Sequence, residues 1–324
     1  MDVNIKKGFT VFSQEKNGIA IVAPHSGPAF DTVTSRDDNS ETVASLCFRN
    51  LGGKLIVSNV SRKRLWGIDF NRDIPSLKTA LKAYDLFNEG KDNKEVSEYK
   101  AKYGWVAKDE SDYENRLRIY QDFWAEVGKN EVIILLHRAF NRIKAYPTII
   151  DVITFKDEGI AKGVIQEIVK DLNVRYYDFL RRVENDYKAA IYYETKRSVL
   201  NILRIYKHFN LDEMGASFSE NIRKDLKNIN LYADKIALRR LKINFTPHNF
   251  LESIRNALKN APSPVITVEN VFDGGLALGP QRKLFPRKNK IIIEVEPTLF
   301  MNFWHPHITA QIIQDVVNKV RKEN

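Results

Sequence analysis

The sequence predicts an α/β fold in which a mixed central β-sheet is flanked by helices and carries a mostly helical insertion. Three short apolar runs, at 18–23, 131–136 and 291–293, have the length and β-branched content of buried strands. Runs that are apolar on both faces are typical of strands covered by helices on both sides of a sheet. Between Pro147 and Pro247 the chain has no proline, and helical periodicity dominates there.

Before residue 160, predicted strands alternate with predicted helices. The turn-like Gly52-Gly53 precedes a strand, and Ser76 is a candidate N-cap for the helix that follows it. The polar, irregular stretch 89–112 is predicted to be a surface excursion. The predicted strands are 18–23, 54–60, 131–136 and 149–155, and the predicted helices are 40–49, 77–87 and 113–127.

The second half begins with the helical section and returns to strands after Pro262-Ser263-Pro264. Two further strands are predicted at 265–271 and 290–296, and a helix at 308–320 closes the chain. We therefore predict one α/β catalytic domain. It comprises residues 1–158 and 262–324, with 159–261 as a helical insertion or subdomain.

The composition is that of a globular protein, with 43% hydrophobic and 28% charged residues. The first residues lack the apolar core of a signal peptide, and no apolar run approaches the roughly 18 residues of a membrane span, so a cytoplasmic protein is expected. Cys47 is the only cysteine, which excludes an internal disulfide and a thiolate-rich zinc site. Cys47 is predicted to be a buried packing residue. A metal ion would therefore be held by histidine and carboxylate.

The net charge of +10 is compatible with a nucleic-acid partner or with an anionic substrate. The basic residues are spread along the chain, and no block of five like charges occurs. RNA binding by the basic helical section is therefore the alternative to a small anionic substrate, and the less favoured one. The charge does not fix the oligomeric state.

Polar residues follow three of the predicted strands. His25 comes soon after 18–23, His137 follows 131–136 directly, and the segment 69–73 follows 54–60 after a short connection. In open α/β sheets, binding sites form beyond the carboxyl ends of the strands. A single histidine at a strand end is most often structural, but two placed in this way can converge on one metal ion.

Several segments resemble the N-formylglutamate amidohydrolase family, which shares its fold with zinc carboxypeptidases and acylase-like deacylases. Three of these segments lie within the first 75 residues, namely Ala23-Pro24-His25-Ser26-Gly27, Arg36-Asp37-Asp38-Asn39-Ser40-Glu41 and Gly67-Ile68-Asp69-Phe70-Asn71-Arg72. Nearer the C-terminus, Gly274-Gly275 precedes a strand that ends in Glu294, and Leu299-Phe300-Met301 follows it. The resemblance covers 18–75, 131–137 and 272–301, and it has no counterpart for residues 160 to 260.

This resemblance implies a zinc-dependent amidohydrolase or deacylase that cleaves an amide bond in a small carboxylate-bearing substrate, such as an N-acyl amino acid. His25 and His137 would be zinc ligands, and an acidic residue would supply the third. Glu41 fits best because it lies at the start of a predicted helix; Asp37 and Asp38 are the alternatives. Two histidines and one carboxylate leave a fourth zinc position open for water, as catalytic sites require.

The resemblance also implies roles for residues around the metal. Glu294 would be the general base that takes a proton from the attacking water. Glu296 is expected to point to the opposite face of the strand, outside the site. Arg72, with Asn71, would bind a substrate carboxylate, because a guanidinium matches a carboxylate with two parallel hydrogen bonds; alternatively, Arg72 pairs with Asp69 or Asp73. Arg62 or Arg64 would supply a second positive group, with Arg64 assigned to catalysis and Arg62 to substrate binding.

Overall fold

The computed structural model describes residues 1–14, 17–28, 36–89, 94–139, 145–205, 250–272 and 290–323. Its strands are β1 (Asp2–Lys6), β2 (Phe9–Ser13), β3 (Ile19–Ala23), β4 (Lys54–Ser58), β5 (Val132–Leu136), β6 (Thr148–Ile153), β7 (Val265–Val268) and β8 (Ile291–Pro297). They form one eight-stranded sheet with the order β1-β2-β4-β3-β5-β8-β6-β7.

The described helices lie on the two faces of this sheet. They are α1 (Ser40–Leu51), α2 (Leu77–Asn88), α3 (Lys94–Lys102), α4 (Glu110–Val127), α5 (Lys162–Arg175), α6 (Tyr177–Ile205), α7 (Phe250–Lys259), α8 (Leu299–Trp304) and α9 (Pro306–Glu323). The predicted α/β class with a mixed sheet is therefore confirmed.

Four neighbouring strands at the centre of the sheet run in the same direction. β4 pairs in parallel with β3, β3 with β5, and β5 with β8. The sheet is mixed because β2 is antiparallel to β4, and β6 is antiparallel to β8. The carboxyl ends of the four parallel strands consequently open onto one edge of the sheet, where the candidate site lies.

Each face of the sheet has its own apolar core, because side chains alternate along every strand. On one face, Ile21, Ile134 and Ile293 belong to a cluster that contains residues of α1, α5, α6 and α9. On the other face, Ile133 and Ile292 pack in a cluster with the aromatic residues of α4. All five of these isoleucines are fully buried, which explains why their strands are apolar throughout.

The structure departs from the sequence-based expectation in two places. β1 and β2 form an antiparallel hairpin that the apolar-run criterion did not predict, because β1 is largely exposed. The stretch 89–112 is not simply a surface excursion: it contains α3, and Trp105 is fully buried. Tyr99 donates a hydrogen bond to the Trp105 carbonyl at 2.6 Å, which ties α3 to this buried segment.

Within the predicted helical section 159–261, the structure describes helices α5, α6 and α7. Residues 206–249 of this section lie outside the described residues. α5 and the first half of α6 contribute buried side chains to the same core as α1 and α9. Cys47 is buried in that core, as predicted. Among the described helices, none has the length and apolar composition needed to span a membrane.

Candidate metal centre

His25 and His137 meet at the edge onto which the parallel strands open. His25 lies two residues beyond β3 and His137 directly follows β5. Because β3 and β5 are neighbours in parallel register, their following residues emerge side by side. The two imidazole rings have centroids 4.7 Å apart, and both side chains are almost completely buried.

Two glycines allow close backbone approaches at the site, Gly27 between the loops after β3 and β4 and Gly67 within the loop after β4. A Cβ atom at Gly27 would overlap the Val60 carbonyl, and one at Gly67 would overlap the Ser61 carbonyl. The Ser26 hydroxyl donates to the Ala23 and Ser58 carbonyls at 2.9 and 3.0 Å. The Pro-His-Ser-Gly segment therefore fixes the backbone that presents His25.

Asp37 lies between the two histidines. Its Oδ2 atom is 3.2 Å from Nδ1 of His25 and 2.8 Å from Nδ1 of His137. The Asp37 amide also donates to the His25 carbonyl at 3.0 Å, which holds the two segments together. One ligand atom from each of His25, Asp37 and His137 lies within 4.8 Å of the others, a spacing that could hold a metal ion.

The outward nitrogen of each histidine ring is held by one short segment, Asp69-Phe70-Asn71. Nε2 of His25 is 3.0 Å from Oδ1 of Asp69, and Nε2 of His137 is 3.0 Å from the side-chain amide of Asn71. Asp69 also accepts a hydrogen bond from the Asn71 amide at 3.1 Å, so the carboxylate fixes the turn. Such partners orient metal-binding histidines and select their tautomer.

The Asn71 side chain directs its nitrogen toward Nε2 of His137, and its Oδ1 is buried without a hydrogen-bond partner among the described residues. The oxygen and nitrogen of an amide are assigned by hydrogen bonding and are not distinguished by shape. Rotating the amide by half a turn lets Oδ1 accept the Nε2–H of His137 and leaves Nδ1 free for a metal. We assign this orientation, because Nδ1 of both histidines faces Asp37.

Two arginines after β4 neutralise the buried carboxylates. Arg62 donates from Nε to Asp69 at 3.2 Å and from Nη1 to Asp37 at 3.5 Å. Arg64 forms an ion pair with Asp69 at 3.0 Å. Burial raises the pKa of Asp69, but the positive charges of Arg62 and Arg64 outweigh it and hold the pKa well below its usual range.

The pKa values of Asp37 and His137 are shifted in opposite directions. Burial raises the pKa of Asp37, but the hydrogen bonds from His137 and His25 outweigh it and keep the carboxyl ionised well below its usual range. Burial lowers the pKa of His137, but Glu294 and Asp37 outweigh it and raise the pKa to about 9. Without a metal, the site therefore contains an imidazolium held between carboxylates.

Helix α4 holds the loop that carries these residues. Arg116 donates to the carbonyls of Arg64, Leu65 and Gly67 at 3.0, 3.1 and 2.8 Å. Tyr120 donates to the Arg72 carbonyl at 2.8 Å. In addition, the indole of Trp124 donates to the Phe70 carbonyl at 3.1 Å. The positions of Asp69 and Asn71 are thus set from a rigid helix.

Glu294 lies inside β8, beside the histidine pair. Its Oε2 atom is 3.9 Å from Nε2 of His137 and has no hydrogen-bond partner among the described residues. The side chain is buried, and this burial raises its pKa. A buried carboxylate with an unoccupied oxygen and a raised pKa is suited to accept a proton near neutral pH.

The expectation for Glu296 is wrong. Residues two apart in a strand share a face, so Glu296 lies on the same side of β8 as Glu294. Its carboxyl group is hydrogen-bonded to that of Glu294, and its negative charge contributes to the raised pKa values of His137 and Arg62. Burial raises the pKa of Glu296 well above its usual range.

The other predicted residues are distributed around this centre. Glu41 begins α1 as expected, but its carboxylate pairs with Arg36, so the structure brings Asp37 and not Glu41 to the histidines. Asp38, the remaining alternative, lies 3.6 Å from Arg138. Arg72 donates from Nη1 to the Asn71 carbonyl at 3.1 Å. The Gly274-Gly275 segment lies outside the described residues.

Sequence reasoning did not foresee the roles of Asp69 and Asn71 as partners of the two histidines. The sequence predicts the segment 69–73 beyond a strand end, but it gives Asp69 a specific role only as an alternative partner of Arg72, and Asn71 only as a substrate contact. Their spacing could have indicated the arrangement, because an Asp and an Asn two residues apart in a turn can present two side chains to one edge of a sheet.

The chain was compared with known proteins in three ways. It matches no protein-family model, and no curated protein or solved structure was found to be similar to it. The function is therefore inferred from the site itself.

Proposed function

We propose that the chain is a zinc-dependent amidohydrolase of the carboxypeptidase-like type, cleaving an amide bond in a small carboxylate-bearing substrate such as an N-acyl amino acid. The proposal is supported chiefly by one arrangement. Two buried histidines direct Nδ1 toward a shared Asp37 oxygen, while Asp69 and Asn71 hold their Nε2 atoms.

The donor set suits zinc. Two imidazole nitrogens and one carboxylate oxygen are common ligands of catalytic zinc sites, which keep a further position open. The Oδ1 atom of Asn71 is buried and has no hydrogen-bond partner in the described part of the chain, and it also fits this use, because it can accept the Nε2–H of His137. When bound, zinc would lower the pKa of water and polarise the scissile carbonyl.

The residues around the metal ligands would transfer protons, bind the substrate or hold the site in place. Glu294 would accept the proton of the attacking water at Oε2 and later deliver it to the leaving nitrogen. Arg72, whose Nε has no hydrogen-bond partner among the described residues, would bind the substrate carboxylate with Asn71. Arg62 and Arg64 are committed to Asp37 and Asp69, so we infer that they hold the site together and do not bind substrate directly.

Metal analysis followed by hydrolysis assays tests this proposal. The protein should bind about one zinc per chain and release the amine from a panel of N-acyl amino acids. Glu294→Gln should retain the zinc and lose roughly 10²–10⁴-fold in kcat, the range expected for loss of a general base. An absence of turnover with every N-acyl amino acid and peptide, in zinc-loaded protein, would exclude this substrate class.

A further inference from the structure

The sheet formed by the described strands has β7 at one edge and β1 at the other. An edge strand presents backbone N–H and C=O groups that can pair with another chain unless something covers them. At the β7 edge, the side chain of Asn173 on α5 provides this cover. Its Oδ1 atom accepts from the Ile266 amide at 2.9 Å, and its Nδ2 atom donates to the Ile266 carbonyl at 2.9 Å.

The β1 edge has no comparable cover among the described residues. No described side chain hydrogen-bonds to the backbone of Val3 or Ile5, and residues 2–5 are all exposed. The relative exposure of Val3 is 50%, and that of Ile5 is 78%. Two apolar side chains therefore lie in solvent beside an open row of backbone donors and acceptors, which is the usual form of a strand-pairing surface.

The hairpin register determines which backbone groups of β1 point outward. β1 and β2 are joined by Lys7-Gly8, and Lys6 opposite Phe9 is the last pair before this turn. A pair that closes a two-residue turn exchanges hydrogen bonds, and pairs then alternate between bonded and non-bonded along the hairpin. Counted back from the turn, Val3 and Ile5 direct their N–H and C=O groups away from β2, toward the open edge.

The strand is complementary to itself when two copies run antiparallel about a two-fold axis at Asn4. Val3 then lies opposite Ile5 of the partner subunit, and each faces the other with its outward backbone groups. Side chains directly opposite each other share a face, so the apolar atoms of this pair are removed from water together. A two-fold interface uses the same patch on both subunits, so the reciprocal pair forms as well.

The same register places opposite charges against each other. Asp2 lies opposite Lys6 of the partner subunit, and within the described part of the chain the Asp2 carboxylate is in no ion pair. Lys6 shares Glu126 with Lys54 and Lys129, at distances of 3.1, 2.7 and 2.7 Å. One carboxylate among three lysines leaves positive charge at this end of β1, where the partner's Asp2 would arrive.

Other ways of pairing two β1 strands lack this complementarity. A parallel arrangement in register sets Lys6 beside Lys6 of the partner subunit, which is unfavourable for like charges. Moving the two-fold axis to Val3 or Ile5 removes both pairs of Asp2 with Lys6. Charged residues on an edge usually discourage strand pairing, but here their opposite signs at the two ends favour one antiparallel register.

We propose that the β1 strands of two copies pair in this antiparallel register and form a homodimer, so that the sheet continues from one subunit into the other. The contact is short, and we therefore expect a reversible dimer whose population depends on protein concentration. The proposal is independent of the hydrolase function, because β2 and β4 separate β1 from the strands that carry the histidines.

Analytical ultracentrifugation of the full-length chain from about 1 μM to 1 mM tests the proposal over the affinity range of small interfaces. The unmodified protein should show a monomer–dimer equilibrium. Ile5→Pro should weaken the dimer about tenfold or more, because it removes an outward N–H and leaves the hairpin bonds intact. Asp2→Lys should weaken it too, since like charges then face each other. Glu167→Lys makes a similar charge change on α5, beside β7, and should leave the dimer unchanged.

A mixture of two variants tests the register. Lys6→Asp alone should be monomeric, while Glu126 keeps Lys54 and Lys129 as partners. Mixed with Asp2→Lys it should form a heterodimer, because every facing pair then has opposite charges. A monomeric unmodified protein over the whole range would overturn the proposal, as would a dimer that persists unchanged in Ile5→Pro or Asp2→Lys. If the two variants fold, by circular dichroism, but do not associate when mixed, the register is wrong.

Discussion

Oδ1 of Asp69 lies 3.0 Å from Nε2 of His25, while Oδ2 of Asp37 lies 3.2 Å from Nδ1 of the same ring. A neutral imidazole cannot donate from both nitrogens, so the carboxylate at Nε2 selects the tautomer with a free Nδ1. Asn71 can do the same for His137 through its Oδ1 atom. The segment Asp69-Phe70-Asn71 therefore orients both histidines through their Nε2 atoms and favours the tautomer whose Nδ1 carries no proton.

Removing either acceptor should weaken metal binding without removing a ligand. We expect Asn71→Leu to lower zinc affinity by about 10–100-fold, the range reported for partners of metal-binding histidines. Asn71→Asp should bind zinc nearly as well as the unmodified protein, because a carboxylate still accepts the Nε2–H of His137. Competition with a chelator measures both affinities. Equal affinities for the Leu and Asp variants would contradict the role given to Asn71.

The identity of the third ligand can be decided by comparing two acidic residues. Asp37→Ala should lose the bound zinc, as should His25→Ala and His137→Ala, because each removes a donor from a three-donor set. Glu41→Ala should retain it, since that carboxylate pairs with Arg36. Metal content per folded chain is the measurement, with circular dichroism to show that each variant folds. Zinc loss in Glu41→Ala alone would restore Glu41 as the ligand.

The sequence predicted the histidines better than it predicted the carboxylates. His25 and His137 follow short apolar runs that have the length and β-branched content of buried strands, and parallel pairing of these strands brings their ends together. Asp37 and Glu41 are four residues apart on either side of the start of α1, where periodicity does not show which of them turns inward. The choice depends on tertiary contacts, namely the His25 carbonyl that holds Asp37 and the Arg36 side chain that holds Glu41.

Other features could not be predicted because their determinants are distant in the sequence. Trp105 lies in a polar stretch, yet its ring packs at a tilted angle against the rings of Tyr113 and Tyr120 of α4. The face of Glu296, by contrast, follows from strand periodicity alone and was predictable. The strand pairing of β1 with β2 depends on a tight Lys7-Gly8 turn in which Gly8 has a positive φ of 87°.

The metal-free protein should lose stability as the pH rises. The pKa of His137 is raised to about 9 from the ordinary value of 6.5, because Glu294 and Asp37 outweigh burial. A raised pKa stabilises the folded state fully below pH 6.5, and this contribution is lost as the pH rises through about 9. The difference corresponds to at most on the order of 3 kcal/mol of unfolding free energy.

Urea unfolding of chelated protein between pH 6.5 and 9 measures this effect. The raised pKa values of Glu294 and Glu296 act in the same direction, because a buried acid with a raised pKa also destabilises the folded state as it ionises. His137→Gln should flatten the dependence, and saturating zinc should abolish or reverse it. Stability that rises steadily over this range without metal would contradict the prediction.

At low pH the protein is expected to lose stability as the pH falls, the reverse of the trend at high pH. The pKa values of Asp37 and Asp69 are held well below 3.8, so their contribution to stability is present above that pH and is lost on further acidification. Asp69→Asn should therefore lower the stability at neutral pH and make acid unfolding less steep. Because the substitution leaves Arg62 and Arg64 without their partner, the loss should reach several kcal/mol. An acid transition as steep as that of the unmodified protein would show that Asp69 is not a principal determinant.

Arg116 is expected to influence the metal affinity of the site through the loop after β4, with no direct contact to the histidines. Its guanidinium donates to the carbonyls of Arg64, Leu65 and Gly67, and its Nε pairs with Asp112 at 2.9 Å. Arg116→Lys keeps the charge but cannot reach several carbonyls at once, since only a guanidinium has donors in a fixed fork. We expect a loss of about 1–3 kcal/mol in unfolding free energy. The zinc affinity should fall as well, because the loop that carries Asp69 and Asn71 loosens.

The matched control for Arg116 is Arg118, two residues along the same helix. Arg118→Lys should change neither quantity, so any effect specific to Arg116 reports on its three carbonyl partners. Urea unfolding and chelator competition on the two variants provide both numbers. If Arg116→Lys lowers stability but leaves zinc affinity unchanged, the loop is held by Tyr120 and Trp124 alone. In that case α4 positions the site through its aromatic residues, and the arginine contributes to stability only.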